Sequence, residues 1–142
     1  MKKKRVMAFG TFDHFHAGHE FYLKEARKLG DELVVIIARD QTVQKIKGRL
    51  PDTNGKERLK AVSKSGLAEK VVLGEEGDKY KVLKKYKPAV IALGYDQFAF
   101  TFRLNKFLID NDLDSHIVRI DSYQPDVYKS SLIRERKNTP KP

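Results

Sequence analysis

The chain has 142 residues, 29 of them Lys or Arg against 19 Asp or Glu, for a net charge of +10, and it contains no cysteine. This length suits one domain rather than two; the missing thiols exclude disulfides and thiol nucleophiles, and no apolar run reaches membrane-spanning length. The positive balance would draw nucleotides, nucleic acids or anionic headgroups without choosing among them, and Lys2-Lys3-Lys4-Arg5 lacks the apolar stretch of a signal peptide, so a cytoplasmic location is the default expectation.

The first predicted strand, Arg5 to Phe9, runs into the decapeptide Gly10-Thr11-Phe12-Asp13-His14-Phe15-His16-Ala17-Gly18-His19. A helix is predicted from Gly18 to Leu29, with Phe21, Leu23, Ala26 and Leu29 on its inward face. A glycine-containing turn between strand and helix lets backbone N–H groups approach a phosphate, and the helix start adds roughly half a positive charge. His16 and His19 are three residues apart on this opening turn, so both can face one ligand, and Gly18 between them removes bulk. A metal pair completed by His14 is the alternative, but with no cysteine and no other histidine before His116 a closed zinc site lacks ligands.

Strands are further predicted at Glu32 to Ala38, Lys70 to Leu73, Ala89 to Leu93 and His116 to Ile120, with helices at Lys56 to Ser65, Lys79 to Lys85 and Thr101 to Asn111. The second and fourth strands are near-continuous apolar runs, as parallel strands covered on both faces require. The expected fold is a three-layer α/β sandwich with a five-stranded, mostly parallel sheet, one domain over residues 1–137 and a frayed tail over 138–142. Ligands of such sheets collect at the C-terminal strand ends. There Gly94 permits a tight exit that sets Asp96 and Gln97 against a ribose or base edge. Tyr95 and Phe98 can stack or simply pack. Ser130, paired with Ser131, can cap a helix from Leu132 to Lys137 and face a phosphate. Lys45-Ile46-Lys47-Gly48-Arg49 reads as a basic loop after the second strand.

Gly10-Thr11-Phe12-Asp13 followed by His16-Ala17-Gly18-His19 resembles the signature of the cytidylyltransferase-like nucleotidyltransferases, a GTFD-type turn and H-x-G-H. Similarity to the archaeal-type FAD synthase branch runs through Leu29 to Leu33, Ala38 to Val43, Lys45 to Arg49, Val72 to Asp78 and Ile91 to Gln97, nearly the whole chain. Cysteines frequent near the end of that branch are absent here. The R-T-x-G-I-S-T-T segment of glycerol-phosphate cytidylyltransferases is replaced by Asp121 to Ser131, which keeps only the paired serines.

The resemblance implies a Rossmann-like sheet of nucleotidyltransferase type, with catalytic roles for His16, His19, Lys45 and Lys47. It implies nucleotide contacts from Gly10, Thr11, Phe12, Asp13, Gly18, Gly94, Asp96, Gln97, Ser130 and Ser131. Arg58, in the Glu57-Arg58 pair, would clamp phosphates; otherwise it belongs to a solvated helix face, and the two lysines to a solvated loop. The implied reaction transfers AMP from ATP to FMN by in-line attack on the α-phosphorus, with Mg²⁺ held mainly by substrate phosphates and water and at most a carboxylate such as Asp13 contributing. A CTP-dependent enzyme acting on glycerol 3-phosphate or a similar phosphorylated alcohol is the alternative. A non-catalytic nucleotide or nucleic-acid binding module is the third reading and the least expected. Homodimers are common among proteins of this kind.

Overall fold

The computed structural model describes residues 4–75, 80–94 and 98–121. Strands β1 (Arg5–Gly10), β2 (Glu32–Ile37), β3 (Lys70–Leu73), β4 (Val90–Gly94) and β5 (His116–Ile120) interleave with helices α1 (Ala17–Arg27), α2 (Asp40–Lys47), α3 (Gly55–Lys64), α4 (Lys81–Tyr86) and α5 (Phe98–Asp110). The strands form one sheet in the order β3-β2-β1-β4-β5. Every pairing in it is parallel, so the sheet is wholly rather than mostly parallel. Expectations for Asp96, Gln97, Ser130, Ser131 and the tail fall outside the described residues.

Alternate residues of each inner strand enter opposite cores. Val6, Ala8, Leu33, Val35, Val90 and Ala92 pack with Leu23 and Ala26 of α1 and Val62 of α3. Met7, Val34, Ile36, Ile91 and Leu93 pack with Val82 and Leu83 of α4 and Leu104 and Leu108 of α5. Two cores flanking one sheet make the three-layer sandwich expected from the unbroken apolar runs. Among the described residues no helix is long and apolar enough to cross a membrane.

The order of strands reverses at β1, whose neighbours on either side are β2 and β4. Register with β2 continues to Gly10↔Ile37, whereas register with β4 ends at Ala8↔Ala92. The hydroxyl of Tyr22 bridges the gap where β1 and β4 part, accepting from Phe9 N at 3.2 Å and donating to Ala92 O at 2.5 Å. A crevice at such a switch point is where open α/β sheets take their ligands.

One expectation is corrected. Lys45 and Lys47 lie in the last turn of α2, not in a loop. The helix opens with Asp40 in its first turn, which suits the positive end of the dipole, and stops at Gly48, whose φ of 81° only glycine adopts readily. Val43 is its single buried residue, and Val43 and Ile46 are the only apolar residues in the segment, too few to mark a helix clearly in the sequence.

Candidate active site

The turn after β1 is sterically defined. A Cβ on Gly10 would lie 2.8 Å from the Phe12 ring, so glycine is what allows Phe12 to fold back over the strand end. Phe12 is buried with φ of 56°, a left-handed conformation unfavourable for a bulky residue. Packing holds it there: its ring stacks on Tyr22 at 6.3 Å and meets the edge of His19 at 5.3 Å. His14 is also left-handed, at φ 52°. Two such residues within three positions are the kind of local strain that surrounding contacts sustain at functional sites.

At the start of α1 the two histidines form a reciprocal capping box. His16 Nδ1 accepts from Gly18 N at 3.0 Å, and His19 Nδ1 accepts from His16 N at 3.2 Å. The rings stack with centroids 3.8 Å apart. A nitrogen that accepts carries no proton, so each neutral ring holds its hydrogen on Nε2, where it can be donated to an anionic oxygen. Burial is the largest cause that pushes His19 down to about 4, with the charge of Lys47 acting in the same direction against the pull of Asp13. Its ring is a neutral donor, not a cation.

Asp13 ties this turn to the segment before α3. Its carboxylate accepts from Asp52 N at 2.7 Å, Thr53 N at 3.1 Å and Thr53 Oγ1 at 2.7 Å. The Thr53 hydroxyl is the largest cause that lowers its carboxyl to about 2, with the two amides and nearby His14 also lowering it against desolvation. His14 Nε2 lies 2.8 Å from Asp52 Oδ2, and that bond, then the charge of Asp13, raises the His14 pKa above its ordinary value. Ligating atoms of Asp13, His14 and Asp52 all lie within 4.8 Å of one another. Asp52 and Thr53 were not singled out as site residues from sequence, and His14 only as the third member of a metal-binding alternative; the unusual polarity of Pro51 to Gly55 was the available signal.

Beside this network runs a groove of about 220 Å³, lined by Thr11, Asp13, His14, Val43, Lys47, Arg49, Leu50, Pro51 and Asp52. Lys47 is four residues from Val43, hence on the same side of α2, and reaches the groove; Lys45, two residues from Lys47, points roughly 200° away around the helix and is not in its lining. The two lysines expected to act together are therefore separated. Gly18 sits on the first turn of α1, and Gly94 ends β4.

Arg58 is the second correction. It is 1% exposed, so it occupies no solvated helix face. Nor does it present a fork to a phosphate: Nε donates to Thr53 O at 2.9 Å, Nη1 to Thr11 O and Ala38 O at 2.8 Å each, and Nη2 to Asp40 Oδ1 at 2.6 Å. One guanidinium thereby joins the signature turn, the end of β2, the first turn of α2 and the segment before α3.

A family model described as cytidylyltransferase-like matches residues 7–136. The FAD synthase of Thermoplasma acidophilum is 42% identical over 132 residues, covering 93% of this chain and 92% of the relative. That of Methanothermus fervidus is 46% identical over 121 residues, 83% of each. A crystal structure from Thermoplasma volcanium, described as a lipopolysaccharide core biosynthesis protein, superposes with a TM-score of 0.81 at 41% identity over 87% of this chain and 100% of that one. Pantoate-beta-alanine ligase from Francisella tularensis, at 15% identity and a TM-score of 0.64 over 87% of this chain and 61% of its own, shares the fold alone. A strained signature turn, paired imidazoles at a helix start and this extent of similarity belong together: the chain is a member of the cytidylyltransferase-like family.

Proposed function

We propose that this chain is an FMN adenylyltransferase, transferring AMP from ATP to FMN with release of pyrophosphate to give FAD. The observation that carries this reading is its similarity to archaeal FAD synthases over most of both chains. A phosphate oxygen of FMN attacks the α-phosphorus, the bond from that phosphorus to the bridging oxygen breaks, and its electron pair leaves on pyrophosphate. The attacking phosphate is already anionic near neutral pH, so no strong general base is needed. The chain's task is positioning and charge stabilisation.

His16 and His19 supply two Nε2–H donors fixed by the cap, directed at oxygens that gain charge as the bond breaks. Because the His19 ring is neutral, it stabilises charge without delivering a proton. Lys47 adds a cation from α2, near enough to act on His19. Lys45 is not in the groove lining and has a weaker claim to a catalytic role. Gly10, Thr11, Phe12 and Gly18 shape the turn and the helix start that receive the phosphates. Arg58 contributes by holding this edge together.

The divalent cation used by such enzymes fits the carboxylates here. Asp13 is ionised and its three hydrogen bonds leave a lone-pair site, and Asp52 adjoins it. Hard oxygen donors of this number suit Mg²⁺, which keeps most of its shell in water and substrate phosphates. Bound there, it would neutralise phosphate charge. Pyrophosphate release measured with ATP or CTP, each paired with FMN or glycerol 3-phosphate, tests the reading. Release with ATP and FMN is expected; release confined to CTP and glycerol 3-phosphate overturns it.

A further inference from the structure

Among the described residues only three large hydrophobic side chains are exposed, Ile46, Leu50 and Ile109, and two of them flank Lys47. Leu50 is 54% exposed and, with Pro51 and buried Val43, forms the apolar side of the groove beside the signature turn. Ile46 lies roughly 60° from Val43 around α2, on the adjoining rim. An exposed leucine taken singly needs no explanation. Here, however, it borders a cavity whose other walls are ionisable groups.

His16 and His19 stand at the helix start, and Lys47 is near enough to depress the His19 pKa. Arg49, Leu50 and Pro51 line the same groove as Lys47. The cavity, about 220 Å³, is smaller than the roughly 300–1,000 Å³ that encloses a drug-sized ligand, so it takes one part of a substrate. An acceptor phosphate held by Lys47 next to the reacting centre would leave the remainder of the acceptor against Leu50 and Pro51. That surface suits a flat apolar ring system, and Arg49 offers donors to carbonyl oxygens on the ring's edge.

We infer that Leu50, with Pro51 and Val43, forms the seat of the isoalloxazine ring and makes this enzyme select a flavin phosphate over smaller phosphorylated acceptors. The inference rests on FMN being the acceptor. The test is Leu50→Ser, assayed for the KM of FMN and of ATP and for competition by riboflavin, which carries the ring without the phosphate. We expect the KM for FMN to rise about tenfold, the scale of losing a partly buried leucine contact, with the KM for ATP unchanged and riboflavin inhibition lost.

Leu50 is half exposed, so the melting temperature should hold; the milder Leu50→Ala supplies the same readouts if Leu50→Ser does not fold. An unchanged KM for FMN, an equal rise for both substrates, or riboflavin inhibition surviving in the variant overturns the inference. So does a dimeric wild type that becomes monomeric on substitution, which would assign this surface to a second copy. Absence of FAD formation by the wild-type protein would instead strike the reading of FMN as acceptor.

Discussion

In the proposed mechanism His16 and His19 each have two functions, one through each ring nitrogen. Nδ1 closes the helix cap and Nε2 carries the hydrogen offered to substrate, so folding of the turn fixes the tautomer that catalysis uses. His16→Ala or His19→Ala should lower turnover at saturating substrates by roughly 10²-fold, the scale of losing a preorganised donor. Full turnover in both variants would remove the site. Protonation is also predictable. The His19 pKa falls from 6.5 to about 4 on folding, so between those values the unfolded chain binds more protons. The contribution of His19 to stability is therefore complete above pH 6.5 and is lost as pH falls toward 4. His14 has the opposite sign: its pKa is raised, so its contribution is present below pH 6.5 and is lost as pH rises through the folded value. Nitrogen NMR of the imidazoles at pH 6 should find His19 neutral with its proton on Nε2; a His19 that titrates near 6.5 contradicts the cap-and-donate account. The His-x-Gly-His spacing was legible as a candidate phosphate site because its residues are local in sequence. Which nitrogen faces the ligand was not, since that depends on the hydrogen bonds of the folded turn.

At the scale of elements, the proposed mechanism makes α2 the element that selects between the two lysines. Lys47 shares the groove side of the helix with Val43, and Lys45 does not. Lys47→Ala should reduce turnover about tenfold or more, while Lys45→Ala changes it less than threefold, with circular dichroism unchanged in both. Equal losses would mean that helical phase does not select between them. The strands were readable to within one residue at each end because unbroken apolar runs have few alternatives in a doubly covered sheet. Residues 45–49 were read as a loop and no helix was predicted over 40–47, where only one side chain is buried, although Asp40 near its start and Gly48 just past its end are helix signals. Periodicity registers how much of a helix faces the core, and α2 presents mostly polar surface.

Across the whole molecule, the ligand edge depends on a buried charge that no pattern announces. Arg58 ties together Thr11, Ala38, Thr53 and Asp40, and charged residues are so seldom fully buried that sequence alone favours the surface. Arg58→Met should destabilise the fold by about 3 kcal/mol, because three carbonyls and a carboxylate lose their partner. That corresponds to a fall in melting temperature of roughly 10 °C. Arg58→Lys should recover little of it, since one ammonium cannot span the same four acceptors. A thermally unaltered Arg58→Met with impaired ATP binding would restore the phosphate-clamp role. The acceptor, in contrast, could be argued only from resemblance before the groove was seen, because its walls come from residues 11–14 and 43–52, brought together by the parallel sheet.

The central claim is tested most directly by following FAD itself. With ATP, FMN and Mg²⁺, the wild-type protein should form FAD and pyrophosphate in equal amounts, and His16→Ala and His19→Ala should lose both products in parallel. Pyrophosphate without FAD, or FAD formation undiminished in the histidine variants, would contradict it.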